Sequence, residues 1–385
     1  MIKAGLTTTM IQGGKSGVGQ YVFSLVRELL KTGRVDLTLF VLERDIPLFN
    51  FTGGQCRLIP VPEQERPPVR NILWHQLKLP KEAARLKLDV LHAPSYRRLI
   101  LSAPCARVGT IHDLAPFHVR KKYDAARMFY GRVVVRRMAR SQNGLIAISR
   151  STARDIEKFF GIPQDRQHII HNGIDHTRFQ PGNVEADRAW AAEKLGLDQP
   201  FFLYVSRLEH PGKNHVRLIG AFTRFKQTTG LPWQLALGGS DWHGAETIRA
   251  AAASSPFSRD IIFAGFVADE SLPRLYRAAR AMVYPSLFEG FGLPPVEAMA
   301  CGTPVISSTR GALEEVVADA ALTIDPENPE AMAAALTQLA TDSVTVGRLR
   351  AAGLANAARF DWARTAEKVL QVYETAAGTG RIAGP

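Results

Sequence analysis

Ala281-Met282-Val283-Tyr284-Pro285-Ser286-Leu287-Phe288-Glu289-Gly290-Phe291-Gly292-Leu293-Pro294-Pro295-Val296-Glu297 runs from an apolar strand, through a glycine-bearing loop, into a proline-started helix. The pattern predicts a strand over Ala281–Tyr284 and a helix over Pro294–Ala300, since proline suits the first helical turn. A helix beginning there offers free N–H groups and the positive end of its dipole, a common way to bind phosphate. Gly290 and Gly292 let backbone approach a ligand closely. Glu289 lies before the helix and Glu297 about one turn into it, where carboxylates can accept hydrogen bonds from sugar hydroxyls. Alone, the stretch also fits an ordinary helix start with favourable acidic residues. The rest of the chain has to decide.

Outward from this stretch, short β-branched runs alternate with helical patterns. Strands are expected at Leu37–Leu42, Val90–His92, Arg107–Ile111, Gly144–Ile148 and His168–Ile170. A second series follows at Phe201–Val205, Gln234–Gly238, Ile261–Ala264, Ala281–Tyr284, Pro304–Ser307 and Ala321–Ile324. Helices are expected between them, among them Tyr21–Leu30, His215–Thr228, Ser271–Ala279 and Pro329–Ala340. Alternating β and α predicts parallel sheets covered on both faces, here an α/β chain of two Rossmann-like, doubly wound domains. Ligands in such folds sit at the carboxyl ends of strands, here in a cleft between the domains. The length of 385 residues suits two cores. The turn-rich Phe179-Gln180-Pro181-Gly182 places the domains at 1–182 and 183–361. A last segment, 362–385, carries a helix over Trp362–Ala376 that could cross back to the first domain, then a flexible tail.

Net charge is +12, and all of the excess lies in the first half: residues 1–182 hold 29 Lys and Arg against 14 Asp and Glu. Within 119–140 stand Arg120, Lys121, Lys122, Arg127, Arg132, Arg136, Arg137 and Arg140 against Asp124 alone, with Phe129, Val133 and Met138 interleaved. Basic and apolar residues together suit an anionic membrane surface or an acidic acceptor; a solvated helix face fits equally well. No nucleic-acid motif accompanies the charge, so nucleic acid is not expected as a partner. Cys56, Cys105 and Cys301 lack metal or redox spacing. The N-terminus lacks a signal-peptide core, and no run is long enough to span a bilayer. A cytoplasmic protein, peripheral on the membrane's inner face if the basic segment binds lipid, is the expectation.

Three further segments bear candidate chemistry. Gly13-Gly14-Lys15-Ser16-Gly17-Val18-Gly19-Gln20-Tyr21 is a glycine-rich loop opening a helix, but not a P-loop, because its Lys-Ser pair precedes Gly17 and Gly19. Val108-Gly109-Thr110-Ile111-His112-Asp113 sets a histidine just past a strand; His92 after Val90-Leu91 is a weaker counterpart. In Ser206-Arg207-Leu208-Glu209-His210-Pro211-Gly212-Lys213-Asn214, two cations six residues apart lead into a helix. Arg supplies a planar fork and Lys a mobile point charge for a departing diphosphate. No Asp-x-Asp sequence occurs, so no metal-holding motif is evident.

These segments, in this order, resemble the retaining glycosyltransferases of family 4, which have the GT-B fold. The strongest likeness is Phe288-Glu289-Gly290-Phe291-Gly292-Leu293-Pro294-Pro295-Val296-Glu297, and it extends over nearly the whole chain. The resemblance implies transfer of a hexose from a nucleotide-diphosphate sugar, a co-substrate, with no metal and no resident cofactor. It implies donor contacts at Gly14, Gly17, Gly19, Arg207, Lys213, Val267, Glu289, Gly290, Phe291, Gly292, Leu293 and Glu297. It gives His112, Glu289, Arg207 and Lys213 the catalytic work. Glu209-His210-Pro211-Gly212-Lys213-Asn214-His215 is similar to members that assemble bacterial surface polysaccharides, several of them mannosyltransferases, so a glycan or lipid-linked saccharide acceptor is expected. Glu314 stands where the family commonly has proline in Gly311-Ala312-Leu313-Glu314-Glu315. A small soluble acceptor, or a non-transferase sugar-nucleotide-binding protein of the same fold, are the alternatives.

Overall fold

The computed structural model describes residues 1–14, 16–118 and 130–380. It divides into two units, Met1–Gly173 with Trp362–Pro385, and Ile174–Asp361. The first unit is built on β1 (Ile2–Thr7), β2 (Val35–Leu42), β3 (Arg57–Val61), β4 (Val90–Ala93), β5 (Ala106–Ile111), β6 (Gly144–Ala147) and β7 (His168–Ile169), in the order β3-β2-β1-β4-β5-β6-β7. All neighbours run parallel. The second unit holds β8 (Phe201–Val205), β9 (Gln234–Gly238), β10 (Ile261–Gly265), β11 (Ala281–Tyr284), β12 (Val305–Ser308) and β13 (Leu322–Ile324), in the order β10-β9-β8-β11-β12-β13, again parallel. In each sheet the winding direction reverses once, between β1 and β4 and between β8 and β11. Such switch points leave a crevice beyond the carboxyl ends of the two strands.

Two strands escape the sequence pattern. β1 reads Ile2-Lys3-Ala4-Gly5-Leu6-Thr7, poor in β-formers, yet it lies at the centre of its sheet. A side chain at Gly5 would sit 2.5 Å from Leu88 Cδ1, so tertiary packing selects the residue there rather than strand propensity. β3 carries Pro60 and pairs only with β2, the edge position that tolerates a proline.

The unit boundary differs from the sequence expectation of 182/183. Ile174 bridges to Asp361, His176 Nε2 donates to Phe360 O at 2.9 Å, and the Phe179 ring lies 6.0 Å from Tyr276. Residues 174–182 therefore belong to the second unit. Turn chemistry marks where the chain bends, not which core a segment joins. The final helix, Trp362–Gly380, packs on the first sheet through Trp362, Val369, Leu370 and Tyr373. Residues 381–385 lie outside the described residues.

Candidate active site

Arg207 and Lys213 follow β8; Glu289, Gly292 and Glu297 follow β11. These are the two strands of the second unit's switch point, so the topology alone assembles most of the expected donor residues. Local hydrogen bonds then join the loops. Asn214 takes a left-handed conformation (φ 64°), which asparagine tolerates, and its amide donates to Pro285 O at 3.0 Å and Pro326 O at 2.7 Å. Leu287 N–H donates to Gly212 O at 3.0 Å. Gly311 (φ +65°) presses on Glu289: a Cβ there would lie 2.4 Å from Glu289 O. Ala312 N–H donates to the same oxygen at 3.0 Å.

At the centre, Lys213 Nζ lies 2.6 Å from Glu289 Oε1, with only 16% and 15% of the two side chains exposed. Tyr284 OH donates to the same oxygen at 3.1 Å, and Tyr204 OH holds Lys213 O at 2.7 Å. Lysine and glutamate, given separate roles from sequence, thus form one shielded pair. Arg207 stands apart from them. It is 53% exposed, pairs with Glu209 at 3.1 Å, and its guanidinium lies 4.7 Å over the Trp242 ring.

The helix Leu293–Ala300 begins after Gly292, whose φ of +97° and 2.5 Å approach to Leu313 exclude a side chain. Pro294 and Pro295 occupy its second and third positions and have no N–H. The expected ring of free donors is therefore reduced to Gly292 and Leu293. Phe291 is buried, its ring 5.6 Å from Phe360, so only its backbone can face a ligand. Glu297 is half-buried and accepts from Tyr276 OH at 2.9 Å. Burial pushes its carboxyl up to about 7, opposed by the Tyr276 hydrogen bond and the nearby charge of Arg178. Val267 is half-buried near Gly238, beside the exposed ring of Phe266. Tyr276, Tyr284 and Trp242 are partners that sequence reasoning missed. Tyr284 lay within the diagnostic stretch, but nothing in the sequence marks Tyr276 as facing Glu297.

Two family models cover the chain, one described as Glycosyltransferase Family 4 over residues 15–178 and one as Glycosyl transferases group 1 over 187–359. The chain is 31% identical over 268 residues to the O-antigen chain mannosyltransferase B of Escherichia coli, covering 69% of this chain and 70% of that one. The chain belongs to the group 1 and family 4 glycosyltransferases. It is also 29% identical to the D-inositol 3-phosphate glycosyltransferase of Acidothermus cellulolyticus over 96% of this chain and 88% of that protein. Its fold matches sucrose-phosphate synthase from Thermosynechococcus elongatus (TM-score 0.77, 22% identity, 97% and 98% of the two chains). It also matches Anabaena HepE in complex with UDP and glucose (TM-score 0.76, 19% identity, 96% and 99%). The fold is GT-B.

In the first unit of this glycosyltransferase, Gly14 (φ +81°) and Gly19 are demanded by packing. A Cβ on Gly19 would lie 3.1 Å from both Gly14 O and Ile11 O. Ser16 Oγ caps the helix Gly17–Lys31 by accepting from Gly19 N–H at 3.1 Å. Nothing stands within 4 Å of a Cβ at Gly17, so the fold itself does not require glycine there. His112, past the end of β5, donates from Nε2 to Pro94 O at 3.0 Å and packs edge-on to Tyr21 at 4.8 Å. A carbonyl only accepts, so Nε2 carries the proton and Nδ1 is left as an acceptor. Burial pulls the ring down to about 4, which keeps it neutral at physiological pH. His92 is turned into the core, bonded to Tyr373 OH at 2.7 Å and Thr110 Oγ1 at 2.8 Å, and has no route to a ligand.

The basic segment 119–140 is only partly visible, since 119–129 lie outside the described residues. In the remainder, Arg136 and Arg140 donate through Nε to Phe160 O at 3.1 and 2.8 Å, closing the carbonyl end of the helix Arg150–Phe160, and Met138 is buried. Val133, Arg132 and Arg137 face solvent. Among the described residues, no helix is long and apolar enough to cross a membrane.

Proposed function

We propose that this glycosyltransferase moves a hexose, with mannose the first to test, from a nucleotide-diphosphate sugar to a glycan or lipid-linked saccharide, retaining anomeric configuration. The observation that carries the donor assignment is the convergence of Lys213–Glu289, Gly292 and Glu297 on one switch point. Glu297 takes the ribose hydroxyls and Glu289 the hydroxyls of the transferred sugar. Lys213, Arg207 and the N–H groups of Gly292 and Leu293 bear the charge of the departing diphosphate. His112 Nδ1 accepts from a sugar hydroxyl, and Gly17 leaves room for the substrate. The acceptor oxygen attacks the anomeric carbon on the face from which the diphosphate leaves. The carbon–phosphate-oxygen bond breaks as the new glycosidic bond forms, and the acceptor proton passes to the departing phosphate oxygen. No cofactor and no metal take part, so chelation with EDTA leaves turnover unchanged.

Mannose and surface polysaccharide rest on the similarity to the O-antigen mannosyltransferase; the inositol-phosphate relative favours a small soluble acceptor as the second reading. The test is a panel of UDP-, GDP- and ADP-sugars, scored by thermal stabilisation and nucleotide release, followed by acceptor trials with oligosaccharides and inositol phosphate. One donor at a hundredfold its Kd stabilises by about 2.7 kcal/mol. If no donor stabilises the protein or is consumed, the enzyme reading fails.

A further inference from the structure

The helix Pro68–Leu77 in the first unit is amphipathic the wrong way round for a water-facing helix. Its inward face carries Asn71, Trp74 and His75, all buried. Its outward face carries Val69, Leu73 and Leu77, which are 70%, 51% and 60% exposed. A spacing of four residues keeps these three in one stripe. Polar contacts hold that orientation. Thr7 Oγ1 lies 2.9 Å from His75 Nε2, while His75 Nδ1 donates to Asn71 O at 2.7 Å. Asn71 Oδ1 accepts from Arg98 Nε at 2.5 Å, and its amide donates to Glu65 O at 3.1 Å. Gln76 donates to Leu99 O at 2.8 Å and accepts from Leu101 N–H at 3.0 Å, which brings Leu101, itself 40% exposed, alongside. Rolling the stripe inward would break the bonds to Thr7, Arg98, Glu65, Leu99 and Leu101.

Cations border the stripe. Arg66, Arg70 and Lys81 are exposed, and none has an ion-pair partner among the described residues; Lys78 is paired with Glu65 at 2.5 Å. An apolar stripe rimmed by cations is complementary to a bilayer bearing anionic headgroups, with the side chains in the acyl boundary and the cations at the phosphates. A second copy of the chain fits less well, because a two-fold contact through the stripe would set these unpaired cations against their own images. We propose that Pro68–Leu77 is a membrane-docking helix that seats the first unit on an anionic lipid surface. This deepens the lipid-linked-acceptor reading, but it moves the contact from residues 119–140 to a helix the charge pattern does not mark.

The test is co-sedimentation of the full chain with phosphatidylcholine vesicles, with and without phosphatidylglycerol. The wild type is expected to bind only the anionic vesicles. The triple variant Val69→Ser, Leu73→Ser, Leu77→Ser needs at least about tenfold more lipid for half-binding, while Val344→Ser, an 83% exposed apolar residue in the second unit, changes nothing. Leu73→Trp adds a gain of signal, with emission shifting to the blue as anionic vesicles are added. The inference is overturned if the triple variant binds as the wild type does, or if only neutralising Arg132 and Arg137 releases the protein. It is also overturned if the serines convert a dimer to a monomer in light scattering. Vesicle binding needs no donor, and donor hydrolysis needs no vesicle, so either idea can fail without the other.

Discussion

At the residue scale, the second unit gives its two candidate carboxylates different partners. Glu289 is matched by Lys213 at 2.6 Å, whereas Glu297 accepts from a neutral Tyr276 hydroxyl and burial raises its carboxyl to about 7. Ribose hydroxyls donate to the ionised form, so donor binding should expel a proton. Donor Kd is expected to fall as pH rises from about 6 to 8, and Glu297→Gln should bind weakly with a flat profile; calorimetry in buffers of different ionisation enthalpy reads the proton directly. A wild-type Kd independent of pH would remove Glu297 from the donor site. Lys213→Ala should lower kcat/KM by about 10²–10³-fold and also destabilise the unit, because it leaves Glu289 shielded without a counter-ion. Lys213→Arg restores the charge and should recover stability more than turnover, which separates the two roles. His112→Ala should reduce kcat more than donor affinity; equal losses in both would make the histidine structural.

At the element scale, the site depends on loops wedged against one another without room for a methyl group. Gly311 meets Glu289 O and Gly239 (φ +151°) meets Ser206 O, each closer than a Cβ permits. Gly311→Ala should cost about 1–3 kcal/mol and weaken donor binding, since relief of the clash moves the backbone of Glu289. Thermal melts with and without donor measure both effects. A variant that melts normally and binds normally would show that this loop does not set the position of Glu289. The proline pair at 294–295 has the opposite logic, stiffening the helix start while removing two donors, which leaves the N–H groups of Gly292 and Leu293 to serve the proposed anion site.

At the scale of the whole molecule, the two units should differ in acid stability. Burial pulls His75 and His92 down to about 3 and His112 to about 4, and lowers His168 as well, all in the first unit. The stability these histidines contribute is complete above their ordinary value of 6.5. It is lost as pH falls toward 4 and then 3, because only the unfolded chain takes up the protons. Asp45 and Asp155, raised by burial, act in the opposite sense, but they are two groups against four. The second unit has His215 at about 3, offset by Glu297, whose stabilising effect is full below 4.5 and lost as pH rises through about 7. Its Asp175, Glu193, Asp325 and Asp342 are lowered by their partners, but that contribution is lost only as pH falls below the ordinary carboxylate values of 3.8 to 4.5, whereas the buried histidines act from 6.5 downward. The first unit should therefore open first on acidification. Hydrogen exchange pulsed after incubation near pH 5 should show protection lost from peptides within 1–173 before those within 174–361. The reverse order would contradict the balance of buried groups.

Much of this was legible in the chain itself. β-branched runs alternating with helical patterns are enough to demand parallel, doubly wound sheets, because backbone pairing and apolar periodicity are local properties. The stretch from Glu289 to Glu297, with Arg207, Lys213 and His112, marked the residue types on which the proposed donor site rests. Tertiary structure alone decided which of these groups share a charge, as Lys213 and Glu289 do, and which stand apart, as Arg207 does. It also made His92 a core residue, gave 174–182 to the second unit, and turned Val69, Leu73 and Leu77 outward. Each of those outcomes is set by partners distant in sequence: Tyr373 for His92, Phe360 for His176, Thr7 and Leu99 for the helix Pro68–Leu77. Periodicity reports that a helix has an apolar face, but the hydrogen bonds on its other face determine whether that side meets the core or the solvent.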